Sequence, residues 1–215
     1  EVRRAVFVRN RAVGVGVSGV ESRLVLEDTL IQDTQEQLSD GTFGQGLNVQ
    51  FGAEAEVRRA VFVRNRAVGV GVSDADSRLV LEDALVQDTR ERASDGSFGQ
   101  GLGVQLGAQA EVRRAVFARN RTVGVFVGGA DTRLVLEDAL VQDTREQASD
   151  DAFGRGLNVE RGAEAEVRRA VFARNRECGV SVSGAHSGLV LEGAVVREPR
   201  EVAVEATCGG GALGE

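Results

Sequence analysis

The sequence predicts an all-β fold, a solenoid of short parallel strands, on three observations. The ten residues EVRRAVFVRN stand at Glu1 and again at Glu56, and EVRRAVFARN stands at Glu111 and Glu166. The period is 55 residues, giving repeats 1–55, 56–110 and 111–165, then 166–215, which diverges after Pro199. Each repeat also echoes itself internally. Finally, apolar residues alternate with period two in short stretches such as Leu24 and Leu26, Leu47 and Val49, and Val15 and Val17.

The internal echo sets out the elements in order. With Val2 aligned to Leu26, Val6 meets Leu30, Phe7 meets Ile31, and Asn10 meets Thr34. Further on, Gly14-Val15-Gly16-Val17 meets Gly46-Leu47-Asn48-Val49. The offset from Val2 to Leu26 is 24 residues and from Leu26 to Val57 is 31, the excess falling in QEQLSDGTFGQ at 35–45. Each 55-residue unit is therefore two similar rungs, one short and one carrying a loop. The strands are Val-rich and separated by Asn, Asp, Gly and Thr, which favour bends. Helices are excluded because apolar residues do not recur at three and four and Gly interrupts every long run. Propellers of similar period expect aromatic signatures, and leucine-rich repeats have a shorter unit with a different consensus. Rungs lying ~4.8 Å apart need equivalent residues above one another, which explains why the chain repeats itself. The expectation is one domain over 1–215 with about 7–8 rungs.

The pattern L-x-L-x-D-T-x-I-x-D-T, a loop, then G-x-G-L-x-V resembles the right-handed parallel β-helix proteins of the pectate-lyase-like superfold. It is similar above all to the repetitive β-helix regions of large secreted or surface proteins of myxobacteria and similar bacteria. The right-handed sense is implied by that resemblance. Its enzymes imply clustered acids, with calcium and arginine in the lyases.

Composition narrows the function. Hydrophobic residues make up 42% of the chain, enough for a packed core. The net charge is −7 and all 26 basic residues are Arg, interleaved with acids. A nucleic-acid partner is not expected, since it would need a basic stripe to displace counterions. No membrane span is expected, because no apolar run approaches ~18 residues. The start at Glu1 without Met reads as a processed product or a piece of a longer chain.

Stacking predicts three columns of alternating charge. One is Arg3, Glu27, Arg58, Glu82, Arg113, Glu137, Arg168, Glu192. A second is Arg4, Asp28, Arg59, Asp83, Arg114, Asp138, Arg169. A third is Arg9, Asp33, Arg64, Asp88, Arg119, Asp143, Arg174, then Glu198. Opposite charges at strand spacing attract and like charges repel. Exposed pairs contribute little, and less in salt, so the alternation is read as fixing register. Arg11, Arg66, Arg121 and Arg176 have no acidic counterpart on the alternate rung, so that bend is the expected place for unpaired positive charge. Phe7, Ile31, Phe62, Val86, Phe117, Val141, Phe172 and Val196 read as a core column. Asn10, Asn65, Asn120 and Asn175 read as bend residues bonding backbone.

The loops at 35–45, 90–100 and 145–155 should emerge on one side, about 9.6 Å apart. Each carries an acid and a Phe: Asp40 and Phe43, Asp95 and Phe98, Asp150 and Phe153. They form either a linear face for an extended polymer such as a polysaccharide, or a lid with Phe tucked onto the wall. One Asp per loop supplies too few oxygens for calcium, so no metal or other cofactor is expected. The lone His186 lacks partners for catalysis. Cys178 and Cys208 lie 30 residues apart, about one rung. They are either two buried thiols or a disulfide, which would stabilise by roughly 3–4 kcal/mol and suit an oxidising, extracellular home.

The expected function is a non-catalytic scaffold or binding module, secreted or on the cell surface. Two alternatives come from other classes. One is a self-assembling fibre subunit in which copies stack end to end through open strand edges. The other is a polysaccharide lyase or epimerase acting on acidic glycans.

Overall fold

The computed structural model describes residues 1–148 and 153–198, and the strand at 202–207. Strands Val2–Arg3, Val6–Val8 and Val13–Ser18 form the first rung; Arg23–Glu27, Leu30–Gln32 and Gln45–Gln50 form the second. Among the described residues the pattern continues into three parallel sheets of eight strands each, giving eight rungs. The chain is a parallel β-helix, its rungs joined by strand-to-strand crossovers of the kind that run right-handed.

The register is the one the internal echo requires. Val2 pairs with Leu26, Phe7 with Ile31, and Val15 and Val17 with Leu47 and Val49. Strands alternate their side chains, so Leu26, Val57, Leu81 and Val112 point inward from the first sheet and are fully buried. The second sheet contributes Ile31, Phe62, Val86, Phe117, Val141 and Phe172, also fully buried. Each internal Phe lies between two smaller residues, as Phe117 does between Val86 and Val141. Large over medium fills the lumen, where Phe stacked on Phe at rung spacing would overfill it.

Two bends per rung use a conformation that sequence reading missed. The column from Arg4 through Asp28 and Arg59 to Arg169 has φ between 50° and 52°. The column from Arg9 through Asp33 and Arg64 to Glu198 has φ between 51° and 57°. Asp tolerates this left-handed region; Arg adopts it only where the surroundings impose it. What imposes it is the backbone ladder continuing through the bend: Asp28 N–H donates to Arg58 O at 3.1 Å, and Arg59 N–H to Glu82 O at 3.1 Å.

The turn into the third sheet depends on an asparagine and a glycine. Asn65 Oδ1 accepts from Thr34 N–H at 3.0 Å, and its Nδ2 donates to Ile31 O at 3.1 Å. Asn120 and Asn175 repeat both bonds on Thr89 and Val86, and on Thr144 and Val141. A Cβ on Gly101 would lie 2.5 Å from Gly124 O and 2.6 Å from Asn120 Nδ2, so only glycine leaves room for that amide.

Candidate functional site

The charge columns pair rather than forming continuous ladders. In the first column the shorter contacts join partners 24 residues apart: Arg3 with Glu27 at 2.9 Å, Arg58 with Glu82 and Arg113 with Glu137 both at 3.3 Å, and Arg168 with Glu192 at 3.6 Å, while Arg113 also reaches back to Glu82 at 3.7 Å. In the two bend columns the partners are 31 apart and bidentate. Arg59 holds Asp28, Arg114 holds Asp83 and Arg169 holds Asp138; Arg64 holds Asp33, Arg119 holds Asp88 and Arg174 holds Asp143, each with a shorter contact of 2.7–2.9 Å. Arg9 reaches its neighbouring rung through its backbone N–H, 3.0 Å from Gln32 O. The two pairing phases interleave, so one clamps the rung junctions that the other leaves open. A second-strand arginine over an acid is thus used up in holding register. A further alternating column, Arg23, Glu54, Arg78, Gln109, Arg133, Glu164, lies at the start of the first sheet and was not read from the sequence.

These pairs predict acid sensitivity. Bonds from Arg59, Arg114 and Arg169 hold the carboxyls of Asp28, Asp83 and Asp138 below their ordinary pKa, and Arg64 does the same for Asp33. A folded pKa below the unfolded value of ~3.9 gives stability present above that pH and lost as pH falls through the folded value. The melting temperature is therefore expected to drop between about pH 5 and pH 2. Asp83→Asn should flatten that dependence, and a melting temperature constant across the range would contradict the pairing.

The loops emerge on one side and brace one another. Glu36 accepts the N–H of Ala93 in the next loop, Glu91 accepts that of Ala148 at 2.6 Å, and Ser94 Oγ donates to Gly41 O at 3.2 Å. The loop acids are turn formers. Asp40 Oδ1 accepts from Thr42 N–H at 2.9 Å and Thr42 Oγ1 at 2.7 Å; Asp95 does the same with Ser97 at the same distances. Those hydroxyl and amide bonds lower both carboxyl pKa values. Asp150 lies outside the described residues, as does Cys208. Cys178 is buried, and the register of its strand places Val202 beside it and Thr207 beside Ser183. His186 is exposed.

The loop phenylalanines do face a groove. Phe43, Phe98 and Phe153 each have φ between 64° and 68°, which aims their rings back across the outer face of the third sheet. The guanidinium of Arg92 lies 4.0 Å from the centre of the Phe98 ring, and that of Arg155 lies 5.5 Å from the Phe153 ring. One depression of about 530 Å³ is bounded by Phe43 and Phe98, with Gly71 and Gly103 as floor and Gln45 and Asn48 beside them. A second of about 540 Å³ is bounded by Phe98 and Phe153, with Gln100, Asn158 and Phe126. Both share Phe98 and Gln105, so the two form one trough along the coil axis.

Polar atoms in the trough remain to be satisfied. Gln45 Oε1 and Gln100 Oε1 are buried and have no hydrogen-bond partner among the described residues. Sequence reading missed Gln45, Gln100 and Phe126. Phe126 had a signal: VGVGVS at 13–18 and 68–73 becomes VGVFVG at 123–128. Its Cα partners Gly103 and Asn158 show that it rises from a column of small and amide side chains.

Among the described residues no three His, Cys, Asp or Glu side chains cluster as a metal site would require, and no helix is long and apolar enough to cross a membrane. No protein-family model and no curated protein matches the chain. Among solved structures, the crystal structure of pectate lyase Pel9A is similar over 94% of this chain and 69% of that one, at 11% identity and a TM-score of 0.47. The class of protein is set by the chain's own three sheets: a parallel β-helix repeat protein.

Proposed function

We propose that the chain is a non-catalytic binding scaffold that holds an extended polysaccharide in the trough on the third sheet. The observation that carries this reading is the continuity of the two depressions through Phe98 and Gln105. Aromatic rings stack on the C–H faces of sugar rings, and Gln and Asn amides offer both donors and acceptors to hydroxyls. The glycine floor at Gly71 and Gly103 lets a flat ring approach the backbone. The aromatics recur once per repeat, as a polymer of repeating units requires. The acids of the rung columns are engaged with arginines, which supports binding over turnover. The reading places the chain outside the cell or on its surface, as a repeat region of the kind its sequence resembles.

The test is a glycan panel titrated against the chain and its Phe98→Gly and Phe126→Gly variants. Glycine at 98 removes the ring and relieves the positive φ, so the fold is kept; glycine at 126 matches the neighbouring Gly103. A glycan bound by the wild type is expected to lose affinity about tenfold with either variant, the scale of one aromatic contact. Unchanged affinity in both variants would rule the trough out.

A further inference from the structure

Four columns alternate arginine with an acid or, once, Gln109, and a fifth does not. At the bend after the second strand, Arg66, Arg90, Arg121 and Arg145 stand on four consecutive rungs. Backbone bridges join Arg66 to Arg90 and Arg121 to Arg145, so like charges stack at about 4.8 Å where elsewhere the chain sets opposite ones. The surrounding groove holds about 450 Å³ and is lined by seven arginines against two carboxylates.

Those carboxylates are occupied. Asp88 is bidentate with Arg119, and Glu91 accepts the Ala148 N–H. Arg66 spends one nitrogen on Glu91 O at 3.0 Å and approaches Glu36 at 3.5 Å; Arg121 donates to Glu146 O at 3.2 Å. Arg90 and Arg145 are exposed, and their guanidinium groups make no hydrogen bond or ion pair with any described residue. The charge of Arg90 reaches Asp33 only through space, behind the direct bond from Arg64.

We propose that this groove is an anion site for a chain bearing repeated tetrahedral oxyanions, phosphate or sulfate groups, with Arg90 and Arg145 as its principal contacts. The choice of anion follows from how arginines are used elsewhere in the molecule. One guanidinium fork takes both oxygens of a carboxylate, as Arg114 does with Asp83, so a carboxylate needs one arginine. A tetrahedral ester presents more oxygens in three dimensions and accepts forks from several arginines at once. The repeated form of the ligand follows from Arg90 and Arg145 recurring two rungs apart, about 9.6 Å. This site adjoins the trough across the loop at 90–100: Arg92 lines both, whereas Arg90 and Arg145 line the groove and not the trough.

The full chain is titrated calorimetrically with inorganic tripolyphosphate and with dextran sulfate, using polygalacturonate as the carboxylate control, at about 0.05 M and about 0.2 M salt. The Arg90→Gln/Arg145→Gln double variant places there the residue the chain itself uses at Gln35 in the same column. It should bind at least tenfold more weakly, with a shallower salt dependence, and melt no lower than wild type because a repulsion is removed. Arg90→Lys/Arg145→Lys keeps the charge without the fork and should fall between the two. Tripolyphosphate binding alone identifies a phosphate polymer, and dextran sulfate binding alone a sulfated glycan. The proposal fails if neither probe binds, if polygalacturonate binds as tightly, or if both double variants bind like wild type. Phe126→Gly, at a residue that lines the trough and not this groove, should leave this binding unchanged.

Discussion

Phe117→Ala is expected to destabilise the coil by about 3–5 kcal/mol. Phe117 is fully buried on the fifth rung and faces Val86 and Val141 above and below. Neither valine is long enough to fill the vacated space, and the parallel ladder keeps the rungs from closing on it, so the cavity stays open. The chain contains an internal control: Ile31 occupies the same column on the second rung. Phe117→Ile should therefore cost much less than alanine, on the order of 1–2 kcal/mol for a change of shape. Rungs touch only their neighbours, so the loss should be local. Hydrogen exchange should rise most in strands Leu85–Gln87, Val116–Ala118 and Leu140–Gln142. A loss below about 1 kcal/mol in urea denaturation followed by circular dichroism would mean that the lumen collapses freely.

Asn120→Ala should cost about 2–4 kcal/mol, because two buried backbone groups each lose their only side-chain partner, at ~1–3 kcal/mol per group. Asn120 is fully buried; its Oδ1 accepts from Thr89 N–H and its Nδ2 donates to Val86 O, both at 3.1 Å. Alanine leaves the donor and the acceptor facing a void next to Gly101, whose missing Cβ makes the space for the amide. Asn120→Asp keeps the acceptor and turns the other oxygen on Val86 O, so it should also destabilise, and more so as pH rises and the buried carboxyl is asked to ionise. Stability of Asn120→Ala equal to wild type would mean that water enters and replaces both bonds.

The sequence carried the fold because a solenoid makes local and global order the same thing. Equivalent residues of the echo are neighbours in space, so aligning Val2 with Leu26 and Leu26 with Val57 states the strand register directly. The core column and the charge columns follow from that alignment without any further information. The asparagine column was legible as a bend residue, since its amide can serve the backbone.

The rest depended on direction, which a column does not contain. An alternating column permits each arginine to join the rung before it or the rung after it. The left-handed bends at Arg59 and Arg64 aim those guanidiniums backward to Asp28 and Asp33, whereas the extended strand at Arg58 sends its guanidinium forward to Glu82. The loop acids and phenylalanines were paired by the sequence as one face. In the structure Asp40 lines the same depression as Phe43 and Phe98, while a short Asp-to-Thr or Asp-to-Ser turn takes up the carboxylates of Asp40 and Asp95. Sequence alone determined which residues share a column, because strand repeat and chain repeat coincide. Only the tertiary structure decided which way each side chain leaves its column, because that is set by backbone dihedrals at the bends and by the crowding of neighbouring rungs.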